Sequence, residues 1–322
     1  MVPNLPSGEK YTFDCRMVEG TDGGIPVFLL HGFPEWSHMY VPLMKFLGSK
    51  GLTSYACNQR GYSPTAAPDD VTDYNYDLLK EDVLAIATEL GHEVFHLVGH
   101  DHGGVLGWTV ATESSRVKSY TSLSVPHVDA FSDGLYGPNA DKSQQIASQY
   151  FDMFRMKNSA SIHGYFWYLA LALTSGRWEE YDDTLEKYRP SNSQKAFWWY
   201  NGAAEAGKMA MPRAFTASEL FKEGQYAFAA LRGVYGMPDE PNGLPQTHKS
   251  GKIEIPTAFI CGSSDTAILC DRPYAYNTKN FVTEDYLHLV VDCGHDLMAC
   301  KDEEQYKVND LIYQRILTAG NN

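Results

Sequence analysis

Short, unbroken apolar runs that end in glycine constrain this chain most. "IPVFLLHG" and "EVFHLVG" do not alternate polar with apolar residues, so each reads as a strand buried on both faces. Between them, residues 75–90 ("NYDLLKEDVLAIATEL") set Leu79, Val83, Ile86 and Leu90 on one helical face, and Gly91 supplies the stop. "KYTFDCRMV" predicts an early strand, and "MYVPLMKFLGSKG" a helix. "LTSYACNQRGYS" starts as a strand and fails at Asn58, where a polar loop begins. A helix from about 102 to 114 and the strand "VKSYTSLSV" continue the series. Strand and helix in regular alternation predict a mostly parallel sheet covered on both sides.

The alternation stops after Ser124. From about 126 to 247 the pattern is helical and crowded with aromatics ("GYFWYLALA", "FWWY"), and glycine and proline interrupt it. "GMPDEPNGLPQTHKSG" reads as a return linker. "IEIPTAFICG", "YLHLVVDCG" and the amphipathic "QYKVNDLIYQRIL" then resume the alternation. The economical organisation is an α/β core of residues 1–125 and 248–322 with a helical cap, 126–247, inserted between its halves. A separate second domain would leave the last strands without a sheet to complete.

With 43% hydrophobic and 20% charged residues, the chain has the composition of a packed globular protein. A net charge of −14 opposes binding to phosphate backbones and anionic membranes, so neither nucleic acid nor membrane is expected as a partner. The first ten residues carry no basic, apolar signal, and no apolar run reaches membrane-spanning length, so a soluble cytoplasmic protein is expected. The charge leaves a homodimer joined through the cap open. The six cysteines, at 15, 57, 261, 270, 293 and 300, lack the paired spacing of a zinc site and read as small buried side chains.

In open parallel sheets, active sites lie beyond the carboxyl ends of the strands. Those ends hold "HGFPEW" (31–36), "GHDHGG" (99–104), "GSSD" (262–265) and "CGHD" (293–296). Glycines two residues either side of Asp101 permit a sharp strand-to-helix turn that leaves its carboxylate projecting above the sheet. This exceeds what a helix cap requires.

These segments, in this order, resemble the α/β-hydrolase superfamily, and specifically its branch with an aspartate nucleophile, which contains epoxide hydrolases and haloalkane or haloacetate dehalogenases. The resemblance rests on His31-Gly32-Phe33-Pro34-Glu35, Gln59-Arg60-Gly61-Tyr62-Ser63, Gly99-His100-Asp101-His102-Gly103-Gly104, Ser124-Val125-Pro126-His127, Trp199-Tyr200, Asp265 and Gly294-His295. It implies Asp101 as nucleophile, His295 as general base and Asp265 as the acid that orients it. Asp292 and Asp296, neighbours of the histidine, suit that last role less than a residue arriving from another strand. The resemblance also implies the backbone N–H groups of Phe33 and His102 as oxyanion donors. His31 reads as a brace for its loop.

A carboxylate suits attack on a saturated carbon because it leaves an ester that water can cleave, whereas a serine would leave an ether. An opened epoxide needs a proton donor for its oxygen, and a neutral phenol can serve. By resemblance, Tyr150 and Tyr200 of the cap take this part, with Trp36 and Trp199 as pocket walls. The implied function is an epoxide hydrolase with no metal or organic cofactor, acting on a small molecule with an apolar portion and on water. Two departures from the family pattern stand out: His102 stands where the family often has tryptophan, and Asn58 where an acidic residue is common. A donor His102, or Trp36 cradling a leaving halide, keeps a dehalogenase as the alternative.

Overall fold

The computed structural model describes residues 2–3, 10–33, 35–63, 65–68, 73, 76–148 and 251–320. Its sheet has seven strands in the order β3-β5-β4-β6-β7-β8-β9: Cys15–Val18, Ser54–Cys57, Val27–Leu30, Phe95–His100, Val117–Leu123, Thr257–Gly262 and Tyr286–Val291. Only the edge strand β3 is antiparallel to its neighbour, and the other pairings are parallel. A separate two-stranded ribbon joins β1 (Val2–Pro3) to β2 (Lys10–Tyr11), so the stretch 10–18 predicted as one strand is divided between β2 in the ribbon and β3 in the sheet.

The unbroken apolar runs become the central strands, because β4, β6 and β8 are buried at every residue. Helices cover both faces. Helix α1 (Val41–Ser49) follows a 3₁₀ turn over Ser37–Tyr40, and its Leu43, Met44 and Leu47 pack with α7 (Asp302–Ala319) on one side of the sheet. On the other side, α2 (Tyr76–Glu89) and α3 (His102–Glu113) cover Phe28, Phe95 and Leu97. Leu79, Val83 and Ile86 of α2 face inward as their spacing predicts. Leu90 does not, because the helix has ended at Glu89 and the chain turns outward at Gly91, whose φ is 80°.

Strands β7 and β8 are neighbours in space although a long segment separates them in sequence. Of that segment the structure describes α4 (Val128–Tyr136) and α5 (Lys142–Ala147). Residues 149–250, with most of the expected cap, lie outside the described residues, as do Tyr150, Trp199 and Tyr200. After β8, the short α6 (Pro273–Asn277) leads towards β9.

Cys57, Cys261, Cys270 and Cys293 are buried, and all six cysteines are paired, as Cys15–Cys57, Cys261–Cys270 and Cys293–Cys300. The first pair follows from the antiparallel register of β3 on β5, which sets Cys15 opposite Cys57. The other two close loops after β8 and β9. Among the described residues, no helix is long and apolar enough to cross a membrane.

Parallel register aligns the strand ends. Leu30 pairs with Gly99, His100 with Leu123, Leu123 with Ile260 and Gly262 with Val291, so five strands terminate along one edge. Backbone bonds carry the ladder beyond the strands. Asp101 N–H donates to Leu123, Ser124 N–H to Ile260, Ser263 N–H to Val291 and Ser264 N–H to Cys293.

Arg60 anchors the loop after β5. Its guanidinium is buried, donates twice to Asp82 of α2 (2.7 and 2.6 Å) and once to the carbonyl of Asp73 (2.6 Å). Removing one member of such a pair strands the other charge. Asp82→Ala should therefore lower stability by about 3–5 kcal/mol, measured as a shift in the urea midpoint, and a near-neutral result would contradict this anchoring.

Candidate active site

Asp101 sits between β6 and α3 with φ 51° and ψ −119°, a conformation that non-glycine residues rarely adopt. The flanking glycines explain how the turn is reached. A Cβ at Gly99 would collide with the carbonyl of Gly103, and a Cβ at Gly103 with the carbonyl of Leu30 on β4. Although Asp101 occupies the N-cap position of α3, its side chain makes no capping bond to that helix. Instead Oδ1 accepts the backbone N–H of Phe33 (2.8 Å), and Oδ2 lies 3.2 Å from Nε2 of His295.

His295 connects two carboxylates. Its Nδ1 is 2.7 Å from Oδ2 of Asp265, whose side chain is fully buried. The second oxygen of Asp265 accepts the N–H groups of Ala267 and Ile268 (2.8 and 2.9 Å), which hold the carboxylate in place. Asp101, His295 and Asp265 therefore form one continuous chain of hydrogen bonds across three strand ends. Asp296 has a different task, because its Oδ1 accepts the N–H of Met298 inside its own turn (2.9 Å).

The charges reinforce this chain. Burial alone would depress the His295 imidazole, but the adjacent Asp265 charge and the bonds to Asp101 and Asp265 raise it well above its ordinary value. Burial would raise Asp101, yet its bond to His295 and the nearby His102, His295 and His100 hold it well below the carboxylate range. The resting site is thus an ionised carboxylate beside a proton-rich imidazole.

Phe33 and His102, the expected backbone donors, both lie beside Asp101. The Phe33 N–H reaches Oδ1 of Asp101, and His102 opens the first turn of α3, where backbone N–H groups point out of the helix end. The His102 side chain is buried beside Asp101, and burial lowers its pKa. Trp36 is also buried, in the apolar cluster that contains Phe33. His31 braces the loop. Its Nε2 accepts the N–H of Gln59 (2.9 Å), the amide of Gln59 donates to the His31 carbonyl (2.6 Å), and Nδ1 donates to Gly32 (2.9 Å). Burial keeps this ring neutral, lowering its pKa to about 4, which suits a nitrogen that must accept.

Two supports have no sequence-level role assigned to them. Nε2 of His100 (2.9 Å) and Oγ of Ser124 (2.6 Å) both donate to the carbonyl of His295. Ser124 reaches it from a positive φ of 68°. Both residues fall within family-like motifs, but a contact across 171 or 195 residues leaves no local signature.

The model of the alpha/beta hydrolase fold matches residues 25–299. The chain belongs to the α/β-hydrolase family. This shared fold covers both halves of the sheet and all three residues of the hydrogen-bonded chain, and the enzyme class it brings is hydrolase. The chain is 28% identical to the AB hydrolase superfamily protein YfhM of Bacillus subtilis over 68% of this chain and 76% of that one. It is 34% identical to epoxide hydrolase 3 of Xenopus tropicalis over 132 residues, and 34% identical to epoxide hydrolase A of Mycobacterium tuberculosis over 113 residues. Those alignments span about a third of each epoxide hydrolase (35% in both). Among solved structures, an epoxide hydrolase from metagenomes of hot environments superposes with a TM-score of 0.73 at 23% identity, covering 97% of this chain and 96% of that one. The epoxide hydrolase of Bacillus megaterium, solved with an inhibitor, gives 0.67 at 19%, covering 96% and 100%. The α/β-hydrolase is thus epoxide hydrolase-like in sequence, and the structural matches establish its fold.

The raised His295 makes stability depend on pH. A group whose pKa rises on folding stabilises fully below its unfolded value, here near the ordinary 6.5, and loses that contribution as pH climbs through its folded value. The stability difference between wild type and His295→Gln should therefore be largest below the ordinary histidine value of 6.5 and shrink as the pH rises above it. Urea midpoints measured across that range test this, and a constant difference would contradict the raised imidazole.

Proposed function

We propose that the protein is an epoxide hydrolase that forms a covalent ester on Asp101. The observation that carries this reading is the carboxylate–imidazole–carboxylate chain, with the Phe33 N–H already on one oxygen of Asp101. A serine-type hydrolase would not need a carboxylate at the turn, and the named epoxide hydrolases among the relatives support the substrate class.

In the first step Oδ2 of Asp101 attacks a ring carbon in line with the breaking C–O bond. The epoxide oxygen leaves as an alkoxide and takes a proton, a task we assign to Tyr150 and Tyr200 of the cap. Trp199 and Trp36 line the apolar portion of the pocket.

Esterification neutralises Asp101 and removes two influences that hold a proton on His295, namely its charge and its hydrogen bond. The imidazole can then give up that proton, which returns through water to the phenolate left by ring opening, and act as a base. Water attacks the ester carbonyl, His295 takes its proton, and Asp265 stabilises the imidazolium that forms. Negative charge collects on Oδ1, where the Phe33 and His102 N–H groups act as preplaced donors. The ester then breaks to release a vicinal diol and restore the carboxylate.

Purified protein should convert terminal epoxides to diols and release no halide from matched haloalkanes or haloacetate. Halide release without epoxide turnover would overturn the reading in favour of a dehalogenase. His295→Gln should still open the ring but stall afterwards, so intact mass should show one substrate added to the peptide carrying Asp101. Tyr150→Phe and Tyr200→Phe should each slow ring opening by about 10²-fold, and unchanged opening would remove that tyrosine from the mechanism.

A further inference from the structure

The loop that carries His295 has no regular secondary structure between β9 and α7, and the Cys293–Cys300 disulfide closes it into a ring. Cys261–Cys270 likewise encloses Asp265. Two of the three disulfides therefore bracket members of the hydrogen-bonded chain, while Cys15–Cys57 ties down the opposite edge of the sheet.

The two brackets differ in access. Cys261 is fully buried and Cys270 nearly so, whereas Cys300 is partly exposed and Cys293 is buried beneath it. Within the His295 ring, Leu297 and Met298 anchor one end in the core. The other end contains Gly294, where an added Cβ would meet no atom within 4 Å. On that side His295 is held by the bonds from His100 and Ser124 to its carbonyl, by the N–H of Ser264 on the carbonyl of Cys293, and by the packing of Cys293 in the core. Opening the bracket would remove the one covalent tie between the two ends of this loop.

We propose that Cys293–Cys300 is a thiol–disulfide exchange site, opened by a dithiol and closed again by a disulfide oxidant, which sets the position of His295 and hence the rate of the hydrolytic step. The thiolate of the dithiol attacks Sγ of Cys300, and the bond to Cys293 breaks to leave a Cys293 thiolate, which takes a proton. The second thiol of the reductant attacks the mixed disulfide, releases Cys300 as a thiol and leaves as a cyclic disulfide. Two electrons pass from the reductant to the pair. The reaction it controls rests on His295 as the base.

The test uses the full chain with dithiothreitol as the probe. Three variables are followed together: alkylation of each cysteine by mass, the ring signals of His295 in ¹⁵N-histidine NMR, assigned by their loss in His295→Gln, and the rate of epoxide hydrolysis. The oxidised protein should show no alkylated Cys293 or Cys300. Reduction should label both, move the His295 signals and their titration towards an ordinary histidine, and lower kcat by about 10- to 100-fold with the circular dichroism unchanged. A disulfide oxidant should reverse all of this. Cys15→Ser/Cys57→Ser should keep the response, and Cys293→Ser/Cys300→Ser should behave as reduced and ignore dithiothreitol.

Free Cys293 and Cys300 in the oxidised protein, an unmoved His295 signal after both are alkylated, or loss of the fold on reduction would each overturn the proposal. Thiol counting and the imidazole signal need no substrate. A protein that opens no epoxide yet shifts His295 on reduction would fail the epoxide reading while keeping this one.

Discussion

The positive φ of Asp101 is the constraint around which the site is built. A non-glycine residue in that conformation costs about 1–3 kcal/mol, and it persists only where its surroundings leave no other path. Here the carbonyls of Gly103 and Leu30 crowd the turn, and the N–H of Asp101 is tied to Leu123. The strain turns the carboxylate away from capping α3 and towards Phe33 and His295. An unstrained N-cap would satisfy the helix and leave the carboxylate out of reach of His295.

The rest of the molecule supplies partners for that carboxylate from distant parts of the chain. Parallel strands in register end at one edge, so loops far apart in sequence open side by side. Supports behind the reacting groups then limit each loop. Arg60 and Asp82 hold the segment that braces His31, while His100 and Ser124 hold the carbonyl of His295. The electrostatics follow from this placement, since one imidazole between two carboxylates is raised while Asp101, bonded to that imidazole and flanked by His100 and His102, is lowered.

Much of this was legible in the sequence, for physical reasons that differ from residue to residue. The glycines around Asp101 mark a turn that admits no side chains, and the long apolar runs mark strands with both faces covered. His295 and Asp265 stood at the ends of such runs. The disulfides were not legible, because the pairing of Cys15 with Cys57 depends on strand register, and the loops around Asp265 and His295 return on themselves only in three dimensions. The double hold on the His295 carbonyl was hidden for the same reason. Leu90 followed the helical period, but the helix stopped one residue before it. Most of the expected cap, with Tyr150 and Tyr200, lies outside the described residues, so its part rests on the sequence.

The central claim is that Asp101 itself takes the substrate. A single turnover in heavy-oxygen water, with enzyme in excess over epoxide, tests it most directly. If water attacks the ester carbonyl, the heavy oxygen should appear in the Asp101 carboxylate and the first diol should carry an oxygen from the protein. Heavy oxygen found only in that first diol, with an unlabelled Asp101, would mean that water attacks the epoxide directly and would contradict the account.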